Sequence, residues 1–337
     1  MRGSFRVVVA AIIVATCPYA AASVAPYHAV RYLMGTWCDL SIFDVSADQA
    51  ADVSEAAFAE IARLERVRST WDPDAELAVV NQRAGLGRQP ISPDLAEVTA
   101  AALESCRDTH GAFDPTVGPL VRLWRFDTEH PTVPSPESVV QTRSRVGCGR
   151  VALQRDPPSL TLPDGFSLDL GGIGKGYAVD QALAVLRGAG VRRAKLDFGS
   201  SSLAFEGSTE GGWPVVVADP RDRDTPLLTF RLQRGSVSSS GQRERMVEHD
   251  GRLYGHIFDP RTGEPVQSPL LLVTVIAPDA TRADALSTAL FVLGYERSQP
   301  ILSRMSNVSA IFVESAARGR LSVRTIGYID RLARLTS

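Results

Sequence analysis

Gly172, Gly174 and Gly176 surround Lys175 in the stretch DLGGIGKGYAVD, Asp169 to Asp180. Before it, Phe166 to Leu170 alternates as a strand does; after it, Ala178, Val179, Ala182, Leu183 and Leu186 recur at helical spacing up to Gly188. The glycines therefore fall at a helix N-terminus, where free backbone N–H groups and the positive end of the helix dipole favour a phosphate. An ordinary tight strand-to-helix turn would use the same glycines. Neither familiar phosphate loop fits: Lys175 is followed by Gly176 rather than Ser or Thr, and the glycines run GxGxG, deep in the chain. Lys175 and Lys195 are the only lysines among 36 basic residues. The chain thus uses arginine wherever a generic positive charge is enough, and a compact ammonium suits a phosphate as a point charge.

Other stretches carry oxygen and nitrogen ligands. In ADALSTALFVLG, Ala283 to Gly294, Asp284 and Thr288 are four apart on an expected short helix, so a carboxylate and a hydroxyl share one face. Such oxygens suit magnesium. An acidic residue complementing the helix dipole, with a back-bonded threonine, accounts for the pair as well. HIFDPRTG, His256 to Gly263, sets a histidine and Asp259 around a turn, where a solvated Asx turn is the plainer reading of Asp259. GAFDPTVGPL, Gly111 to Leu120, puts Phe113 beside Asp114, and STWDPDAELAVVN, Ser69 to Asn81, offers Trp71 for stacking on a planar ring.

The elements that must position these residues are legible in outline. Thr36 to Val45 reads as a strand and Asp48 to Val67 as a helix with Val53, Ala57, Ile61 and Leu64 inward. Ser92 caps a second helix, Pro93 fits its first turn, and Gly111 lies beyond its end. Pro131 to Pro136 marks a surface loop, and Pro157, Pro158 and Pro163 mark another. The second half is strand-rich, with strands expected at 194–198, 214–218, 227–232, 271–277, 308–314 and 321–326. Strands that mostly follow one another, interrupted by two helices, favour an α+β arrangement.

The 337 residues, net charge of −2 and 44% hydrophobic content suit one large or two modest globular domains. Near-neutral charge gives no field to gather phosphate backbones, so no nucleic acid is expected as a partner. Residues 1 to about 22 have the form of an export signal: Arg2 and Arg6, the apolar run Val7 to Ala15, then Ala20, Ala21 and Ala22. The run is shorter than the roughly 20 residues of a spanning helix. A periplasmic or other extracytoplasmic location follows. Thr16 before Cys17 favours soluble export over a lipid anchor at that cysteine. Cys38, Cys106 and Cys148 remain, without CxxC spacing; they allow one disulfide and indicate no zinc cluster.

Taken in order, the Met-Gly-Thr at Met34, STWDPDAEL, GAFDPTVGPLVRLW, DLGGIGKGYAVD, HIFDPRTGEP and ADALSTALFVLG resemble the ApbE family of FAD:protein FMN transferases, across the whole of residues 23–337. The resemblance implies an α+β, T-fold-like architecture of mixed sheets with packed helices. It implies an exported, Mg²⁺-dependent enzyme that takes FAD as substrate, attaches FMN to a threonine or serine of an acceptor flavoprotein and releases AMP. Acceptors would be extracytoplasmic subunits of membrane electron-transfer complexes, with inner-membrane association. Carried onto matching positions, Met34, Trp71, Ala112, Phe113, Asp114, Asp169, Lys175 and Phe258 would contact FAD. The Gly172 carbonyl, Asp284 and Thr288 would hold the metal. Ser287 departs from family members that place an aspartate there as a further ligand. Gly199-Ser200-Ser201 replaces a common double glycine, and no aromatic follows Ser240-Gly241 before Gln242 and Arg243. His256 or Asp259 would relay the acceptor proton beside Lys175. An FAD pyrophosphatase giving FMN and AMP, and a non-catalytic flavin-binding protein, are the rival readings.

Overall fold

The structure, a computed structural model, describes residues 25–126, 133–241, 246–249, 251–328 and 333–334. The expected export signal with Cys17, the start of the loop at Pro131, and Gln242 and Arg243 lie outside these residues. Eight strands form one sheet whose spatial order is the chain order: β1 (Tyr27–Leu33), β2 (Thr36–Phe43), β3 (Arg193–Phe198), β4 (Ser202–Glu206), β5 (Gly235–Gly241), β6 (Leu270–Ala277), β7 (Ser309–Ser315) and β8 (Leu321–Ile326). Every neighbouring pair is antiparallel. The α+β expectation holds.

Four long helices accompany the sheet: α1 (Ala47–Arg68), α2 (Pro93–Asp108), α3 (Gly171–Gly188) and α4 (Ala280–Leu302). Alternation sorts the strands' side chains between two cores. Leu40, Leu196, Val273, Val275 and Phe312 join the helices' apolar faces in the larger core. Val237, Ile276, Ile311 and Val313 point the other way, onto Val215, Val217, Leu228 and Phe230 of a small sheet built from Trp213–Asp219, Asp222–Leu232 and Ala333–Arg334. The sheet therefore lies between a helical layer and a second, smaller sheet.

Local signals account for most helix starts. Ser46 Oγ accepts from Gln49 N–H at 3.2 Å, and Ser92 Oγ accepts from Leu95 N–H at 3.2 Å with Pro93 in the first turn. The turn between β1 and β2 has two residues, Met34 (φ 50°) and Gly35 (φ 77°), both left-handed, as the tightest hairpins require.

Three local expectations need correction. Phe166 to Leu170 forms no strand: Asn81 clamps Leu168 on both sides, accepting its N–H at 2.7 Å and donating to its carbonyl at 2.8 Å. Asp169 N–H completes the arrangement by donating to Pro115 O at 2.7 Å. The backbone of Leu168 and Asp169 is thus satisfied by a side chain and a loop, as buried backbone without a sheet partner must be. The helix expected over Ala283 to Gly294 starts earlier and runs on to Leu302, broken rather than ended at Gly294 (φ 71°, ψ 174°). The proline-marked loops are partly structured, since Ser135 caps a helix over Pro136–Arg143 and Pro158–Thr161 is a strand.

Among the described residues no helix is long and apolar enough to cross a membrane. Cys106 and Cys148 form a disulfide with a Cα–Cα distance of 6.6 Å, and Cys38 is free and buried.

Candidate active site

The position of the chemistry follows from how α4 is held on α3. Asp180, the last residue of the glycine-rich stretch, accepts from the N–H groups of Ala280 (2.9 Å) and Thr281 (2.8 Å), so a side chain of α3 caps the start of α4. One turn back, Gly176 lets the helices touch: a Cβ there would stand 2.1 Å from Ala280 O and 2.8 Å from Asp284 Cβ. The Gly176 N–H donates to Asp284 Oδ2 at 2.9 Å. The glycines are therefore set by protein packing as much as by any ligand. Gly172 likewise sits against Phe113 Cε2 (3.2 Å from an added Cβ) and Thr288 Oγ1 (3.3 Å), and Gly174 makes room for the guanidinium of Arg68.

These contacts place the N-terminal turns of α3 at the floor of a cleft of about 790 Å³, within the size range of ligand sites. Its lining brings together Met34, Trp71, Ala112, Phe113, Asp114, Asp169, Gly172, Lys175, His256, Phe258, Asp284 and Thr288. These residues come from segments spread over more than two hundred positions. Lys175 is half-buried and donates from Nζ to Ser201 Oγ at 2.7 Å. Asp284 is 5% exposed. Burial pushes its carboxyl up, opposed by the charge of Lys175, the Gly176 N–H, the Ser238 hydroxyl and the charge of Arg68.

The walls are apolar and well supported. Phe113 belongs to the main core, and Phe258 packs in a satellite cluster with Trp124 and Phe126, at ring separations of 6.0 and 5.6 Å. Trp124 also donates from Nε1 to Gly263 O at 3.1 Å, tying the DPRTG turn to the helix Gly118–Trp124. Trp71 is 67% exposed, a broad aromatic face at the rim.

Two expected site residues serve the scaffold, and one is displaced. Asp114 lines the cleft, but its Oδ1 accepts from Thr116 N–H (2.8 Å) and Oγ1 (2.6 Å) and its Oδ2 from Cys148 N–H (2.9 Å), so it braces the loop that the disulfide anchors. Asp169 Oδ1 accepts from Gly171 N–H at 2.8 Å and so caps α3. Asp259 does not join the cleft. Its carboxylate accepts from Arg261 N–H, Nε and Nη2 at 3.0, 2.8 and 2.7 Å, the Asx-turn arrangement, and it borders a separate depression near Gly294. Ser287 is fully buried behind the cleft lining: its Oγ lies 2.7 Å from Ser240 Oγ and donates to Asp284 O at 2.9 Å.

Several cleft residues escape a reading of single motifs. β5, GSVSSSG, presents Ser238 and Ser240 toward α4: Ser238 Oγ donates to Asp284 Oδ1 at 3.3 Å, and Ser240 Oγ lies 3.5 Å from Thr288 Oγ1. Its period-two serines were the available signal. Arg68 was also missed; it directly precedes the Ser-Thr-Trp segment that the sequence does mark.

Comparison with known proteins identifies the family of the chain. The model of the ApbE family matches residues 34–312. The FAD:protein FMN transferase of Klebsiella pneumoniae (strain 342) is 31% identical over 310 residues, 87% of each chain. That of Treponema pallidum (strain Nichols) is 32% identical over 330 residues, covering 92% of this chain and 90% of the relative. Among solved structures, the ApbE protein of Thermotoga maritima superposes with a TM-score of 0.80 at 28% identity, over 88% of this chain and 96% of that one. The flavinyl transferase ApbE of Pseudomonas stutzeri, in its apo form, gives a TM-score of 0.81 at 28% identity, over 91% and 96%. With the ordered motifs meeting in one cleft and the family model matching most of its length, the chain belongs to the ApbE family.

Proposed function

We propose that this chain is a FAD:protein FMN transferase, moving FMN from FAD to a serine or threonine hydroxyl of an acceptor protein and releasing AMP. The observation that carries the reading is the meeting of Lys175, Asp284, Thr288 and the N-terminal turns of α3 on one floor, beneath walls that include Phe113, Phe258 and Trp71. A planar ring needs such walls, and a diphosphate needs such a floor.

The donor set fits Mg²⁺. Asp284 is a buried carboxylate that accepts from the Ser238 hydroxyl, and Ser240 and Thr288 add two more hydroxyls to the same cleft, the hard oxygens that ion takes. Asp284, Thr288 and the Gly172 carbonyl would hold it, with Ser287 behind them through Ser240. Bound there, Mg²⁺ would draw charge from the phosphate oxygens. Lys175, fixed by Ser201, supplies a positive charge on the same side. The acceptor oxygen forms its bond to the FMN phosphorus as the bond from that phosphorus to the bridging oxygen breaks; the bridging oxygen leaves on AMP. The acceptor proton needs a base at the cleft, and His256 is placed there where Asp259 is not.

The disulfide between Cys106 and Cys148 and the signal-like N-terminus support an extracytoplasmic, periplasmic site of action. Acceptors in that compartment would be flavoprotein subunits of membrane electron-transfer complexes, reached by association at the inner membrane. Incubation with FAD, Mg²⁺ and an acceptor domain, followed by a denaturing gel, tests the reading. Flavin fluorescence on the acceptor band, lost with chelator and restored by Mg²⁺, is expected. AMP without labelled acceptor would make the protein a pyrophosphatase, and neither product would make it a flavin binder.

A further inference from the structure

Arg68 ends α1 with its side chain turned into the floor of the cleft rather than toward solvent; it is 8% exposed. Burying a guanidinium is costly unless its donors are met. Here they are poorly met. Its hydrogen bond is from Nη2 to the Met34 thioether at 3.5 Å, a weak acceptor, and Nε is buried with no partner. Asp284 and Glu65 act on it electrostatically, without a hydrogen bond to either. Burial brings it down to about 10, which leaves it charged at neutral pH.

The guanidinium is also positioned deliberately. An added Cβ on Gly174 would lie 1.7 Å from Arg68 Nη1, so the fourth residue of α3 is a glycine where this side chain crosses it. Lys175 is the next residue. Two cations and a helix N-terminus thus converge on one end of the cleft, and one of the cations keeps an unused donor. A fork of N–H groups in that setting is built for a phosphate or similar oxyanion.

We propose that Arg68 is a specificity-determining residue whose guanidinium receives a phosphate of the dinucleotide, so that the cleft selects flavins carrying a diphosphate over flavins without phosphate. The inference rests on the transferase reading for the identity of the ligand. Arg68 is an arginine for the ligand's sake, at a cost to the ligand-free fold. Its replacement by an apolar residue of similar length should therefore weaken phosphate-bearing ligands while leaving the empty protein at least as stable.

The test titrates wild type and Arg68→Met with FAD by flavin fluorescence, with ADP and riboflavin as competitors, and follows thermal unfolding without ligand. Arg68→Met is expected to weaken FAD and ADP by about tenfold or more, as loss of a charge-assisted contact implies. Riboflavin should compete as before, and the ligand-free melting temperature should hold or rise. An unchanged FAD affinity, an equal loss for riboflavin, or a lower melting temperature would each overturn the proposal. If Arg68→Met does not fold, Arg68→Gln in the same titrations decides, with the same two results. Wild type that binds no FAD would instead refute the transferase reading.

Discussion

Replacing Gly176 by alanine tests whether α3 and α4 are as tightly joined as the cleft requires. The new Cβ would sit 2.1 Å from Ala280 O, 2.6 Å from Ala280 C and 2.8 Å from Asp284 Cβ. Two of these are main-chain atoms, held in turn by Asp180 at the start of α4, so no side chain can swing aside. Restoring ordinary contact distances of about 3.5 Å requires the helices to part by on the order of 1 Å. Overpacking of this kind costs about 1–3 kcal/mol. The catalytic loss should be larger than the stability loss suggests. Parting the helices stretches the 2.9 Å bond from Gly176 N–H to Asp284 and moves Asp284 away from Lys175, and a misplacement of about 1 Å can lower a rate about a hundredfold. Gly188→Ala is the control: it lies at the other end of the same helix with nothing within 4 Å of an added Cβ, and should stabilise by a few tenths of a kcal/mol to about 1 kcal/mol. Urea denaturation gives the stability change, and single-turnover FMN transfer under saturating FAD gives the rate. Wild-type stability and rate in Gly176→Ala would refute the packing argument and return the glycine to a role in ligand approach.

Lys175→Arg should lower the single-turnover transfer rate by at least about tenfold, or roughly 1.4 kcal/mol, because the wider guanidinium cannot take the place of an ammonium held 2.7 Å from Ser201; a wild-type rate would reduce Lys175 to a general charge. Phe113→Ala should weaken FAD binding, yet this side chain is 4% exposed within the main core, so a stability loss of about 3–5 kcal/mol should accompany it in a denaturant melt. Unchanged FAD affinity in the folded fraction would count against the wall assignment. Reducing the disulfide, whose cysteines are 42 residues apart, should cost about 3–4 kcal/mol of stability. It should also lower FAD affinity, because Cys148 N–H is bonded to Asp114 at the cleft; a calorimetric melt and a fluorescence titration under reductant check both.

What the sequence determined by itself was whatever acts over a few residues. The Ser92-Pro93 start of α2, the inward face of α1 at Val53, Ala57, Ile61 and Leu64, and the strands of the second half each follow from capping chemistry or periodicity, and the structure contains them. The ordered motifs likewise pointed to the family and to phosphate chemistry before any contact was known. Tertiary structure decided which of those motif residues meet. Asp180 finds Ala280 across 100 positions and Gly176 finds Asp284 across 108, and neither pairing is encoded nearby. Asp259, named beside His256 for the proton relay, instead follows its local reading, an Asx turn whose own Arg261 takes the carboxylate; what the packing added is that His256 lines the cleft and Asp259 does not. β5 carries too many serines to declare itself a central strand; it becomes one because its neighbours β4 and β6 supply the hydrogen bonds and α4 supplies polar partners for its inward hydroxyls. Arg68 looks like any basic residue near a helix end until the fold buries it over Gly174. Propensity and capping are short-range and largely additive, whereas the cost of burying a charge or a hydroxyl depends on what the rest of the chain brings alongside, and that is settled only when the core packs.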